Sequence, residues 1–418
     1  MDSSDPPFYE TYKALFDKAA IEESRPTKRE QVMFASSLEE CEPPLIDLSQ
    51  LDESRDCKSE IARASREWGF FQVVNHGISR EILERMRREQ VKVFRQPFEK
   101  KINEVKFLNF SSGSYRWGTP AATCLKQLSW SEAFHVPLAD ISGSDGCGSL
   151  SWSSHLSSEH AHDHYVLTLE LTTPNALELA KTLSGVPGQF GLRLPIGNPD
   201  PTPVVPGDLC ECRPLRGWGR GGQLAAPAPS FLRSTMEQFA GTVSDLANKL
   251  AEILAEDLGH KSDYFKENCL ANTCYLRMNR YPPCPMFPNS NVFGLMPHTD
   301  SDFLTILYQD DVGGLQLVRD GQWFAVKPNP DALIVNIGDL FQAWSNGVYK
   351  SVEHRVVTNP RVERFSSAYF LCPFHDTVIK SCGQPPVYRN FSFREYRQQV
   401  QDDVQKLGQK VGLPRFLL

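Results

Sequence analysis

Apolar and polar positions are arranged in different ways along this chain, and each arrangement predicts a different kind of element. From Ile61 to Phe94 a charged amphipathic run leads into β-formers at Phe70 to Asn75, and Ser79 then stands ready to cap a helix over Glu81 to Phe94, so the expected order is helix, strand, helix. After Ser234 helical period returns sharply. Met236, Phe239, Ala240, Val243, Leu246, Ala247, Leu250, Ile253 and Leu254 share one stripe, and Gly259 closes it. Such a helix needs a sheet or a bundle to cover. From Thr273 onward short β-like runs alternate with turn residues: Cys274 to Tyr281, Leu304 to Tyr308, Leu315 to Val318, Trp323 to Val326, Ala332 to Ile337, His354 to Thr358 and Ser366 to Cys372. Many short strands at this spacing predict a sandwich or jelly roll. A last helix is announced by Ser392 and Glu395 at capping-box spacing, with Phe391 placed to staple onto Tyr396, and it is expected to pack outside the barrel.

The patterning lapses between residues 144 and 232. Ser-rich text gives way to Pro- and Gly-rich text at Pro195 to Pro206 and Arg213 to Gly222, with little apolar period except at Tyr165 to Leu171. This stretch reads as a disordered insertion. The expected organisation is a variable tail over 1–40, an N-terminal helical and β region over 41–143, the insertion over 144–232, a core over 233–395 and a C-terminal helix and tail over 396–418. Because a structureless loop of roughly eighty residues is unusual inside a compact domain, a retained intron or gene-model error stands as the alternative.

Charge and cysteine usage narrow the partner. Forty-four basic residues against 51 acidic ones give a net charge of −7 with no long basic block, which leaves nucleic acid and anionic membranes without an electrostatic basis and favours a small molecule. Met1 to Glu10 lacks a signal-peptide pattern and no apolar stretch is long enough to span a bilayer, so a cytoplasmic location is expected, with the nucleus as alternative. Eleven scattered cysteines suit reduced thiols, and Cys210 and Cys212 are too close together for the usual zinc spacing.

Candidate chemistry gathers in the C-terminal half. In extended chain, His298 and Asp300 project to the same face, and His354 begins another β-like run 54 positions after Asp300. Two histidines and one carboxylate in this order form the facial triad of non-haem Fe(II) oxygenases, which leaves three coordination positions open for a chelating 2-oxo acid and oxygen. Taken alone, His-X-Asp is more often a surface or core pair. Arg364 and Ser366 strengthen the reading, since a guanidinium fork beside a hydroxyl suits the far carboxylate of 2-oxoglutarate. No catalytic residue is singled out beyond the metal site. A competing cluster, His160, His162 and His164, lies in the insertion and reads by default as solvated histidines.

The combined order His-X-Asp, His, Arg-X-Ser resembles the plant 2-oxoglutarate-dependent dioxygenases. The resemblance covers nearly everything except the first forty or so residues and the insertion, and implies an α+β fold with a double-stranded β-helix (jelly-roll) core and flanking helices. It further implies Fe(II), 2-oxoglutarate and oxygen as reactants, with ascorbate in support. Within that family Asn279 and Tyr281 match the Asn-X-Tyr that helps hold 2-oxoglutarate, with a strand end before a proline turn as the alternative. Gly113 to Pro120, Leu128 to Pro137 and Asp339 to Asn346 resemble gibberellin 2-oxidases, nearest the branch acting on twenty-carbon gibberellins, which implies hormone-inactivating 2β-hydroxylation. Composition and spacing do not by themselves name that substrate. Tyr115, Trp117, Phe341 and Trp344 are candidates to wall an apolar pocket, although aromatic clusters are more often core. Arg277 shares parity with Asn279 and Tyr281 and is the candidate anchor for a substrate carboxylate, with a structural ion pair or a solvent-facing arginine after a bulge as the alternatives. Two other functions stay open: a catalytically silent gibberellin- or iron-binding homologue disabled by the insertion, and a related dioxygenase for another plant metabolite.

Overall fold

A computed structural model describes residues 3–23, 38–51, 55–141, 229–261, 263–269, 273–284 and 292–418. Most of the expected insertion, with His160, His162 and His164, lies outside the described residues.

The strands form two principal sheets. Eight make the larger, in the order β2 (Leu45–Asp47), β3 (Phe70–Val74), β11 (Leu333–Ile337), β8 (Leu304–Gln309), β13 (Arg364–Leu371), β6 (Tyr275–Tyr281), β5 (Glu132–Pro137) and β4 (Tyr115–Trp117). Five make the smaller: β1 (Glu40–Cys41), β10 (Gln322–Val326), β9 (Leu315–Arg319), β12 (His354–Val357) and β7 (Phe293–His298). Within these sheets the pairing is antiparallel except where β1 meets β10 and β2 meets β3. Phe70, Tyr281, Ile334, Leu315, Leu317, Val326 and Val356, drawn from both sheets, form one apolar cluster. This is the expected jelly-roll architecture, two inner faces interdigitating around a core.

Helices cover the other face of the larger sheet. The predicted helix-strand-helix order appears as α2 (Arg55–Glu67), β3 and α3 (Arg80–Phe94), with the Ser79 hydroxyl accepting from Ile82 N–H. The longest helix, α7 (Pro229–Asp257), buries every residue of its predicted stripe and packs against α2, α3, β8 and β13. It starts four residues earlier than the expected core boundary. Proline is tolerated as the first helical residue because that position has no intrahelical N–H bond to lose. The helix α6 (Leu138–Ile141) precedes the undescribed stretch, and α8 (Tyr264–Asn268) follows α7.

Two further departures have simple causes. The expected tail over 1–40 contains α1 (Phe8–Glu23), where Phe8, Tyr12 and Phe16 recur every four residues, so they share a face and pack with Trp117 and Trp130. Strand β7 escapes the pattern reading because Gly294 and Pro297 interrupt it. As an edge strand it tolerates a proline. At the other end of the chain, α10 (Phe393–Leu407) has the expected capping: Ser392 Oγ accepts from Glu395 N–H at 3.1 Å, and the Phe391 and Tyr396 rings lie 5.7 Å apart. The short helices α4 (Phe98–Lys101), α5 (Glu104–Leu108) and α9 (Asp339–Trp344), with the small pair β14 (Val378–Ile379) and β15 (Phe391–Ser392), complete the elements used below. Among the described residues no helix is long and apolar enough to cross a membrane.

Candidate active site and metal centre

Strand register brings the two histidines together. His354, first residue of β12, pairs directly with His298, last residue of β7, and their ring centroids lie 4.3 Å apart. Asp300 reaches them differently from the expectation. It sits beyond the end of β7, in the turn towards β8, so the turn and not an extended strand aims the carboxylate. Asp339 N–H donates to the Asp300 carbonyl at 2.9 Å and Leu340 N–H to the Asp302 carbonyl at 3.0 Å, fixing that turn against the start of α9.

Ligand atoms converge without a proton between them. Asp300 Oδ1 is 3.6 Å from His298 Nε2 and 3.7 Å from His354 Nε2. Each Nδ1 faces a backbone carbonyl, Met296 O at 2.7 Å and Val352 O at 3.0 Å, which places the imidazole proton on Nδ1 and leaves Nε2 as a bare lone pair. The other carboxylate oxygen, Oδ2, accepts from Thr305 Oγ1 at 2.6 Å and Asn336 Nδ2 at 2.7 Å. Thus Oδ1 remains for a cation. Burial, helped by the charge of His354, pushes the His298 imidazolium down to about 3. Burial works the other way on Asp300, but the neighbouring histidines and the Thr305 and Asn336 hydrogen bonds outweigh it and hold the carboxyl at about 2. Burial and the Asp300 charge push the neighbouring Asp302 carboxyl well above the usual carboxylate range. Thr305 Oγ1 also lies within donating distance of Asp302 Oδ2, at 2.9 Å, so the two carboxylates share one hydroxyl. Three acceptors facing one point fit a divalent ion. Among the described residues these three form the one group of at least three His, Cys, Asp or Glu with that convergence.

A cavity of about 900 Å³ opens from this point. Arg364 and Ser366 line it from β13, and Arg277, Asn279 and Tyr281 from β6, so the parity argument holds on both strands. Arg364 is 2% exposed and has no carboxylate partner among the described residues. Its Nη2 donates to Gln309 at 2.7 Å, its Nη1 lies 3.5 Å from Ser366 Oγ, and its Nε has no partner. A buried cation without an anion is costly, so this cradle fits a carboxylate ligand. Asn279 Nδ2 donates to Ser366 Oγ at 3.3 Å, and the Tyr281 ring lies 4.9 Å from the Arg364 guanidinium. Gly294 allows that tyrosine its place, because a Cβ there would lie 2.7 Å from its ring. Arg277 Nε donates to Asn279 Oδ1 at 2.8 Å, which answers the suggested structural ion pair with a neutral partner.

The four aromatic candidates are not in the cavity wall. Tyr115 packs on Phe134 and bonds Glu132; Trp117 lies among Phe8, Tyr12 and Phe98; Phe341 and Trp344 pack with Phe265 under α9. Tyr115, Phe341 and Trp344 are buried in the core and Trp117 is half-buried against it. The residues that do make the wall went unnamed in the sequence reading: Tyr275, Phe293, Leu295, Leu307, Ala368 and Phe370, with Val400 and Val404 from α10. Extending the parity of Arg364 and Ser366 by two more steps finds Ala368 and Phe370, and Tyr275 precedes Arg277 in the same way. Helix α10, expected to pack outside the barrel, thus also contributes to the cavity wall.

Sequence comparisons give this geometry a family. The model of the 2OG-Fe(II) oxygenase superfamily matches residues 269–373, and that of the non-haem dioxygenase in morphine synthesis N-terminal region matches 43–145. Gibberellin 2-beta-dioxygenase 8 of Arabidopsis thaliana is 51% identical over 99% of this chain and 98% of its own length. Gibberellin 2-beta-dioxygenase 6 of Oryza sativa subsp. japonica is 42% identical over 99% and 96%. The crystal structure of JOX2 in complex with 2OG, Fe and JA superposes with a TM-score of 0.61 at 26% identity, covering 96% of this chain and 97% of that one. The chain belongs to the plant 2-oxoglutarate-dependent dioxygenases of the 2OG-Fe(II) oxygenase superfamily, enzymes that use Fe(II) and 2-oxoglutarate.

Proposed function

We propose that this enzyme 2β-hydroxylates gibberellins, holding Fe(II) with His298, Asp300 and His354 and 2-oxoglutarate with Arg364, Ser366, Asn279 and Tyr281. The observation that carries the reading is the pairing of an acceptor-only triad with a buried, anion-free arginine in one cavity. Relatives named gibberellin 2-beta-dioxygenases, at 51% and 42% identity, support the substrate class.

Bound Fe(II) supplies oxygen activation, coupling decarboxylation of 2-oxoglutarate to succinate with insertion of one oxygen atom into a substrate C–H bond. The chain's own residues orient and shield. Arg364 neutralises the remote carboxylate of the co-substrate, and Ser366 and Tyr281 fix its direction. Tyr275, Leu295, Leu307 and Phe370 present carbon to a polycyclic acid and exclude water from the reacting carbon. Arg277 is the anchor for that acid. It pairs with β13 at Ala368 whereas Tyr281 pairs at Arg364, four residues further, so the two cationic positions stand about 13 Å apart along the sheet. Two carboxylates then have separate addresses.

The test is succinate release by the purified enzyme with Fe(II), 2-oxoglutarate and ascorbate across a gibberellin panel that includes twenty-carbon members, with product masses recorded. Release that requires both iron and a gibberellin, with products heavier by one oxygen, is expected. A panel without gibberellin-dependent release would defeat the substrate assignment and favour a silent homologue or another metabolite. Arg277→Met should raise the gibberellin KM by tenfold or more with the 2-oxoglutarate KM changed less than twofold, and a methyl-ester substrate should show little of that penalty. Equal losses with acid and ester remove Arg277 from the substrate site.

A further inference from the structure

Beyond α10 the chain turns at Gly408 and sets Lys410 against the turn that carries Asp300. The Lys410 ammonium donates to the Thr299 carbonyl at 2.8 Å and to Ser301 Oγ at 2.9 Å, and pairs with Asp339 Oδ2 at 2.7 Å. An ammonium has three donors, and three acceptors take them here. Thr299 and Ser301 are the neighbours of Asp300 on either side. Asp339 closes the arrangement: its carboxylate also accepts from Thr299 Oγ1 at 2.9 Å and from the Tyr396 hydroxyl, and its N–H holds the Asp300 carbonyl at 2.9 Å. The Lys410 side chain is 12% exposed, so water competes weakly for these bonds. Gly412, at φ +72°, makes the path possible, because a Cβ there would lie 3.2 Å from Lys410 Cε and 3.3 Å from Asp339 Oδ2. The same C-terminal segment lines the cavity through Val400, Val404 and Gln409.

We infer that Lys410 is a positioning residue that holds the Asp300 turn in its metal-receiving geometry and ties that turn to the C-terminal wall of the substrate cavity. Asp300 is the one proposed ligand outside a strand, so no sheet register fixes it. Lys410 and Asp339 supply that constraint from two sides, and a displacement of about 1 Å is enough to weaken such a site. The inference rests on the proposed metal site.

The experiment titrates the full-length, metal-free protein with Co(II) and follows its ligand-field absorption, a readout of coordination independent of turnover. Lys410→Met should weaken Co(II) binding fivefold or more. Leu413→Ala, which loosens the same segment without touching the turn, should weaken it less than Lys410→Met does. A weakening below fivefold in Lys410→Met, or an equal loss in Leu413→Ala, overturns the role. Should Lys410→Met not fold, Lys410→Gln is read against the same limits. His298→Ala separates the two readings: if it binds Co(II) as tightly as wild type, the metal-site proposal has failed, whereas loss there with retention in Lys410→Met removes only the role of Lys410.

Discussion

Two buried polar clusters share this fold, and only one of them is closed. Near the β4 edge of the larger sheet Lys101 and Glu132, both with fully buried side chains, are paired; Glu132 also accepts from Tyr115 and, at 2.7 Å, from Arg280. Arg280 continues to Glu363 and Asp5, each at 2.8 Å, and Lys101 completes its donors on the carbonyls of Ser4 at 2.7 Å and Phe94 at 3.0 Å. Opposite charges meet and donors find acceptors. In the triad of His298, Asp300 and His354 three acceptors face one another, and Arg364 repeats the imbalance with the opposite sign. Burial marks both clusters. Imbalance marks the one that awaits a ligand.

The largest effect expected from this comparison falls on the open cluster. His298→Ala, Asp300→Ala and His354→Ala should each lower turnover by about a thousandfold or more, because a three-ligand site has no redundancy. The metal-free fold should survive the two histidine changes, whereas Asp300→Ala also takes an acceptor from the buried Thr305 and Asn336 donors and should cost some stability as well. Near-normal activity at limiting iron in any of the three would strike that residue from the ligand set.

The closed cluster should answer in stability instead. Glu132→Gln leaves the Lys101 and Arg280 cations buried with one counter-charge fewer, a loss of about 3 to 5 kcal/mol. Urea unfolding measures it, and Co(II) affinity of the folded fraction should stay within twofold of wild type. A loss under about 1 kcal/mol would show that the network is not what holds the N-terminal segment to β5 and β6.

The contrast also explains what the sequence could tell. Periodicity found α3, α7 and the strands from β8 to β13, because those elements bury one face against a continuous core and their side chains record it. The triad was legible because His298, Asp300 and His354 have a chemical signature that no packing demand produces together. The cavity wall was not, since Leu295, Phe370 or Val404 looks like any core residue until the fold shows empty space beside it. The same ambiguity misplaced Phe341 and Trp344, whose aromatic character suits a pocket and a core equally well. Lys410 carried no signal at all: its partners Asp339, Ser301 and Thr299 lie 71, 109 and 111 positions away, joined only by the path of the C-terminal segment.

A smaller effect separates the clusters by pH. Folding holds His298 neutral down to about 3, whereas an unfolded imidazole titrates near about 6.5, so between these values the unfolded metal-free chain binds a proton that the native state refuses. Stability of the metal-free protein should therefore fall as pH drops below about 6.5, by at most about 1.4 kcal/mol per pH unit, with that contribution fully lost near 3. Asp300, held at about 2, adds a second loss at lower pH, as its stabilisation disappears between about 3.8 and 2. Urea midpoints of wild type and His298→Leu at pH of about 7.5 and about 5 decide the first window. Equal pH slopes in the two proteins would show that His298 is not its source.

The smallest effect is expected from the largest change, removal of residues 146–226, which we propose are an insertion dispensable for folding and catalysis. The family models stop at 145 on one side and resume at 269 on the other. What matters is whether the flanks can be joined. Arg233, one turn into α7, places its guanidinium on the carbonyls of Asp140 and Ile141, the last residues of α6, and on the Asn109 carbonyl at 2.7 Å. An arginine side chain reaches about 7 Å and one helical turn rises about 5.4 Å, so the end of α6 and the start of α7 are close enough for a link of about five residues. Residues 142–145 and 227–228 remain to serve as that link, and Pro229 keeps its place at the helix start. Gibberellin turnover within about threefold of the full chain, and a urea midpoint unchanged or raised by a shorter loop, are the expected results. Deletions trimmed at several points that all lose Co(II) binding, while Arg233→Met in the full chain retains it, would instead make the stretch a working part of the enzyme.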